Sequence, residues 1–159
     1  NNAGISYINL LTDMTDEDWN RIIQTNLSSV FYCCRQAIPP MVSKRSGKII
    51  NISSMWGQVG ASCEVHYSAS KAAVIGLTKA LAKEVGPSHI QVNCVAPGVI
   101  KTAMNSHLDK QTLELLKEET PLGTIGTTED VAQMVGFLAS DHSDFITGQV
   151  FGINGGMVI

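Results

Sequence analysis

Apolar positions along the chain fall into two alternating rhythms. From Val65 to Val85, Val74, Leu77, Leu81 and Val85 recur at helical spacing among small residues, which predicts one long helix. Residues 48–52, Lys-Ile-Ile-Asn-Ile, form instead a short β-branched run, the pattern of a parallel strand covered on both faces. Residues 91–95 and 149–153 read the same way. Ahead of them Thr15 is placed to cap a helix whose first turn, Asp16, Glu17 and Asp18, is acidic and whose apolar face holds Trp19, Ile22 and Ile23. A second helix is expected through Phe31 and Cys34, with Pro39 and Pro40 bending or breaking it and Gly47 marking its exit into the strand. Residues 100–120 make a long excursion containing a predicted helix, Lys110–Glu119, and a further capped helix starts near Thr128. That excursion is a candidate substrate lid. Alternation of this kind predicts an α/β fold with a parallel sheet.

Chemistry concentrates at the start of the long helix. Tyr67 and Lys71 stand four residues apart and so share a helical face. A free tyrosine has a pKa of about 10, and a nearby ammonium can lower it by about 1–3 pH units, which makes Tyr67 a proton donor suited to neutral pH. Tyr-x-x-x-Lys also occurs on many solvated helix faces, so the surrounding residues decide its weight. Ser53 and Ser54 follow the strand at 48–52 and therefore sit at the carboxyl edge of the sheet, where open α/β sheets bind ligands. The loop from Ser54 to Tyr67, with Gly57 and Gly60, can fold back so that the strand edge faces the helix start, and it then forms a natural substrate wall. One acid, its activator and a hydroxyl donor together are suited to reducing a carbonyl.

Six short segments carry a wider resemblance: Asn1-Asn2-Ala3-Gly4, Asn26 before Leu27, Ile52-Ser53-Ser54, Tyr67-Ser68-Ala69-Ser70-Lys71, Pro97-Gly98 with Ile100 and Thr102, and Asn154-Gly155-Gly156. In order and spacing they resemble the short-chain dehydrogenase/reductase family over the whole chain, nearest its 3-oxoacyl-[acyl-carrier-protein] reductase branch. The resemblance implies a nicotinamide-dependent reductase with Asn26, Ser54, Tyr67 and Lys71 as its catalytic set. Tyr67 would exchange a proton with the carbonyl oxygen, Lys71 would hold the nicotinamide ribose and depress the Tyr67 pKa, and Ser54 would stabilise developing charge. Asn26 would hold a water of the proton relay; as a residue alone it reads equally as a cap at a helix interruption. Asn2, Ala3 and Gly4 would adjoin the adenosine ribose, and Ile100 and Thr102 the carboxamide, reached through Pro97 and Gly98, which otherwise read as an ordinary turn. NADP is the expected cofactor, with NAD the alternative. The expected fold is the C-terminal part of a doubly wound, Rossmann-type parallel sheet lacking its first three strands.

On that resemblance the carboxyl end is expected to be complete, and about eighty residues with the glycine-rich pyrophosphate turn are expected ahead of Asn1. The chain is read as a single domain, residues 1–159, incomplete at its amino end, and its isolated form is expected to be marginal because a hydrophobic sheet edge is exposed. A noncatalytic interaction module or inactive fragment is the competing class. Composition excludes other classes. With 44% hydrophobic and 16% charged residues and a net charge of −3 there is no basic stripe for nucleic acid and no apolar run long enough to span a membrane. Cys33, Cys34, Cys63 and Cys94 form no Cys-x-x-Cys pair and have no histidine at metal-ligand spacing, which points to a reduced cytoplasmic protein without a metal site.

Trp56-Gly57 followed by Gly60-Ala61-Ser62-Cys63-Glu64-Val65 is similar to the family branch that reduces an aminopentanone group on elongation factor P. A Glu64 carboxylate beside the cleft would suit a cationic substrate; it is equally a residue favoured at a helix start. The partners implied are thus acyl carrier protein or elongation factor P, and a second copy of the chain. Ser68, Ala69, Ala72 and Ala73 permit close helix approach, and relatives assemble as homodimers or homotetramers. Thr124 and Thr128 depart from an arginine and a proline common in relatives and leave the catalytic set untouched, whereas Lys101 and Ala103 replace a common acidic pair and leave the lid conformation open. Cys63 reads as a packing residue and His66 as an exposed neighbour of Tyr67.

Overall fold

A computed structural model describes residues 1–105 and 108–159; residues 106 and 107 of the expected lid lie outside the described residues. Helix α1 (Asp16–Ile23) opens with the predicted cap: Thr15 and Asp18 exchange side-chain and backbone hydrogen bonds in a capping box. It does not stop at Ile23. A π-helical turn, Gln24–Ser28, carries it directly into α2 (Ser29–Lys44).

Of the bend or break expected at Pro39 and Pro40, the break does not occur: α2 runs through both. Proline removes the donors owed to the carbonyls of Arg35 and Gln36, but all four residues lie on the exposed side of the helix, where water can replace those donors. The end of α2 also differs from expectation. Arg45, in the left-handed conformation (φ 50°), makes the cap, while Gly47 begins strand β1 (Gly47–Ile52). Gly47 packs closely there: a methyl group on it would meet Met41 Sδ at 2.6 Å, and the methionine side chain would have to shift.

The chain continues through a short helix α3 (Trp56–Val59), the long α4 (Val65–Val85), strand β2 (Ile90–Pro97), α5 (Lys110–Glu119), α6 (Thr128–Ala139) and strand β3 (Val150–Ile153). The sheet order is β1-β2-β3, all parallel, with Gly47 opposite Ile90 and Cys94 opposite Val150. Asn1 extends the sheet beyond β1: its amino group donates to the Ile50 carbonyl (2.8 Å) and its carbonyl accepts the Ile52 N–H (2.9 Å), the parallel pattern.

Strand alternation assigns the two faces. Ile49, Ile90, Val92 and Cys94 pack with Val30 and Cys34 of α2 and Val74, Ala82 and Val85 of α4 in the main core. On the opposite face Lys48 reaches the end of α6, donating to the Ser140 carbonyl at 2.7 Å and pairing with Asp144 at 2.6 Å. Helices thus cover both faces, as the doubly wound reading requires. A buried polar chain crosses the first layer: Asn1 Nδ2 donates to Asn51 Oδ1 (2.7 Å), Asn51 Nδ2 to Thr78 Oγ1 (2.9 Å), and Thr78 Oγ1 to the Val74 carbonyl (2.8 Å). Among the described residues no helix is long and apolar enough to cross a membrane.

Candidate active site

The carboxyl end of β1 is held to β2 and to α4 at once. Ser53 N–H donates to the Val95 carbonyl (2.8 Å), Met55 N–H to that of Pro97 (2.9 Å), and Ser53 Oγ to that of Lys71 (2.8 Å). The chain then turns back as α3, whose Gly57 lies against α4: a methyl group on Gly57 would meet the Lys71 carbonyl carbon at 2.7 Å. Folded this way, Ser54, Tyr67 and Lys71 line one cavity of about 660 Å³. Asn2 and Gly4 form one wall; Pro97, Gly98, Ile100 and Thr102 form another. Ala3 does not line it.

Lys71 is 4% exposed and donates to the Ile52 carbonyl at 2.9 Å, and its nitrogen stands 5.7 Å from the centre of the Tyr67 ring. Burial lowers its pKa from 10.5 to about 8. The expected depression of the Tyr67 pKa is not found. Burial raises it, the Glu64 charge adds to the rise, and a hydrogen bond with Ser54 opposes it without reversing the sign. The phenol is therefore held in its proton-bearing form, next to the hydroxyl that shares its cavity.

Asn26 sits in the π-helical turn, wholly buried. It does not line the cavity. Its side chain grips both backbone groups of Ile5, accepting from the N–H at 2.8 Å and donating to the carbonyl at 2.9 Å, and also donates to Ser70 Oγ at 3.2 Å. Ser70 Oγ in turn donates to the Tyr67 carbonyl at 2.7 Å. Gly4 is wedged between: a methyl group on it would lie 3.3 Å from Lys71 Nζ and 3.5 Å from Asn26 Oδ1. Of the four expected catalytic residues, three share the cavity and the fourth fixes the backbone of its wall.

Two neighbours of Tyr67 differ from expectation. His66 is fully buried, not exposed; it stands one helical turn before buried Ser70, which is one turn before buried Val74, so a stripe at i, i+4, i+8 would have placed it inside. It packs against Tyr7, a residue the sequence reading did not single out. Glu64 accepts a hydrogen bond from the Ser6 hydroxyl and is not among the cavity-lining residues. The excursion after β2 walls a second cavity of about 590 Å³, lined by Val99, Leu108, Leu113 and Ile125 with Lys101 and Lys117, which adjoins the first through Ile100, Thr102, Ala103 and Asn105.

Comparison with known proteins agrees with this arrangement. Residues 1–158 match the model of the family described as enoyl-(acyl carrier protein) reductase. The 3-oxoacyl-[acyl-carrier-protein] reductase of Thermotoga maritima is 47% identical over 159 residues, all of this chain and 65% of that protein. The reductase of the same name from Chlamydia muridarum is 46% identical over 157 residues, 99% of this chain and 63% of its own length. The crystal structure of a 3-oxoacyl-[acyl-carrier protein] reductase from Brucella melitensis superimposes with a TM-score of 0.96 at 36% identity, covering 100% of this chain and 62% of that one. The chain therefore spans just under two thirds of these relatives, and with its matched family model, its parallel sheet and its clustered Ser54, Tyr67 and Lys71 it belongs to the short-chain dehydrogenase/reductase family.

Proposed function

We propose that the whole protein reduces the ketone of a 3-oxoacyl thioester, using NADPH in preference to NADH. The observation that carries this reading is the convergence of Ser54, Tyr67 and Lys71 on one cavity at the carboxyl edge of the sheet. When bound, the reduced nicotinamide supplies the hydride. The residues present fit its ribose end: the buried Lys71 ammonium has three donors, of which one goes to Ile52, and Gly4 leaves backbone rather than side chain against it. Tyr67, which carries its proton at neutral pH and is held in that form more firmly by burial, is suited to give its proton to the ketone oxygen, and Ser54 to donate a second hydrogen bond to the same atom. Asn26 keeps the wall in place through Ile5.

Substrate class follows from what faces the cavities. The second cavity is lined mainly by apolar side chains, which supports an acyl chain, and by Lys101, which supports an anionic carrier such as acyl carrier protein; Lys117, also in its lining, is paired with Glu114 at 2.6 Å. Glu64, on which a cationic aminopentanone substrate carried by elongation factor P would depend, is turned to Ser6. A cytoplasmic location is supported by four free thiols. Self-association as a homodimer or homotetramer is supported by Phe31 and Tyr32 of α2, exposed at 45% and 50% and flanked by Arg35. The deciding experiment follows NADPH oxidation by the whole protein with acetoacetyl thioester. Tyr67→Phe is expected to lower kcat by about 10²–10⁴ while cofactor still binds; unchanged turnover in that variant would remove Tyr67 from the reaction.

A further inference from the structure

The head of α4 carries a buried polar pair that ketone reduction does not use. His66 is 0% exposed, and its ring meets that of Tyr7 edge to face with centres 5.3 Å apart. Both imidazole nitrogens and the Tyr7 hydroxyl are shut off from solvent, and none has a hydrogen-bond partner among the described residues. Buried polar atoms left unpaired cost free energy that hydrocarbon of the same shape would not, so the pair needs a reason.

Its surroundings supply one. The segment bearing Tyr7 is fastened around this end of α4 along its length: Ile5 by Asn26 of the π-helical turn, which also donates to Ser70 of α4, Ser6 by Glu64 just ahead of α4, and Asn9 through an N–H bond to the Cys63 carbonyl at 2.8 Å. The same segment begins at Gly4, which walls the cavity beside Lys71. The charged groups facing the pair are the Glu64 carboxylate at the start of α4, the Asp18 carboxylate from α1, and the Arg21 guanidinium of α1, 6.0 Å from the centre of the Tyr7 ring. Burial lowers the His66 pKa below that of an ordinary histidine, and the two carboxylates only partly offset it, so the imidazole is neutral at pH 7.

We propose that His66 is a positioning residue: neutral, it packs under Tyr7 and keeps residues 4–9 against the catalytic helix; protonated, it must be hydrated and pushes that segment away, opening the cofactor wall at Gly4. In the direction of ketone reduction Tyr67 and Lys71 both hold their protons below pH 7, so neither accounts for a loss on acidification. The loss falls on cofactor KM more than on kcat, because Ser54 and Tyr67 stay on their own elements while Gly4 moves.

The activity arm rests on the reductase reading; a second arm does not. In the whole protein, imidazole NMR follows His66 while amide exchange follows Ile5 and Asn9 from pH 8 to pH 5. Protection at both amides, corrected for intrinsic exchange, is expected to fall about tenfold as His66 takes up its proton. His66→Phe, which keeps a buried ring and cannot be protonated, should remove that pH dependence and also flatten the acid rise in cofactor KM. Protection that ignores the titration of His66 in the wild type overturns the proposal even if the variant fails to fold, and so does an acid loss unchanged in His66→Phe. The exchange result without any reductase activity upholds the latch and sinks the assigned reaction instead.

Discussion

Gly4 approaches Lys71 so closely that a methyl group on its α-carbon would stand 3.3 Å from the ammonium nitrogen. The neighbour is the flexible end of a side chain, so Gly4→Ala should fold and displace the ammonium by a few tenths of an ångström. Expected is a loss of about 10-fold in kcat/KM, with a stability change within about 1 kcal/mol by thermal denaturation. Stability and activity falling together would show that the backbone, not Lys71, had moved.

Lys71 itself carries an opposing stability and activity effect. Its pKa falls from 10.5 in the unfolded chain to about 8 in the folded one. The unfolded state therefore binds the proton more tightly, and stability declines as pH drops from above 10 towards 8 and stays at the lower level below. At roughly 1.4 kcal/mol per pH unit the cost at neutral pH is on the order of 3 kcal/mol. Lys71→Met should melt higher than wild type at pH 7, with the gap closing above pH 10, while losing nearly all turnover. In the wild type, ketone reduction should fall as pH rises through about 8. A melting point for Lys71→Met below wild type at pH 7 would contradict the burial cost.

Two glycines make a matched comparison. On Gly57 a methyl group would lie 2.7 Å from the Lys71 carbonyl carbon, 2.9 Å from its oxygen and 2.8 Å from Ser53 Oγ, mostly backbone that cannot swing aside. Gly57→Ala should cost about 1–3 kcal/mol and lower kcat by separating Ser54 from Tyr67. Gly76, inside α4, has no neighbour within 4 Å of the same position. Gly76→Ala should add about 1 kcal/mol and leave kcat unchanged. Chemical denaturation beside steady-state kinetics reads both.

Because the Glu64 carboxylate is held by Ser6 outside the cavity, Glu64→Gln should not discriminate between substrates. Its kcat/KM should change by the same factor, within about threefold, on a neutral acetoacetyl thioester and on an aminopentanone-modified peptide. A selective loss on the cationic peptide would restore the elongation-factor reading.

The fold was legible where periodicity and burial agree. Helix α4 matches its expected bounds, and the strands at 48–52, 91–95 and 149–153 each differ by no more than two residues at either end. Pro39 and Pro40 do not interrupt α2 because the carbonyls they free belong to Arg35 and Gln36, residues on the exposed side of the helix where water can serve them. No propensity scale signals a π-helical turn, so the joint that aims Asn26 at Ile5 was out of reach. That Ser54, Tyr67 and Lys71 meet at one cavity was legible from the helical spacing of the pair and from the strand edge that carries the serine. The raised Tyr67 pKa was not, because its sign depends on how far burial outweighs nearby charge, a quantity set by packing from several elements at once. His66 was missed because a histidine beside an active-site residue was assigned by polarity instead of by its face of the helix.

The chain of bonds from Asn1 through Asn51 to Thr78 works as an alignment key. Side chains of a strand alternate sides, so a slip of β1 by one residue would turn Asn51 towards α6, strip Thr78 and Asn1 of their partner, and put Ile50 or Ile52 in a slot shaped for an amide. Each of those errors buries an unmatched polar group. The same slip would advance or retard Ser54 by one position relative to Tyr67, so the donor would leave the cavity while the sheet remained hydrogen-bonded along its backbone. An amide buried away from the cavity thus proofreads the placement of Ser54, the hydroxyl that the proposed reaction would take from just beyond this strand.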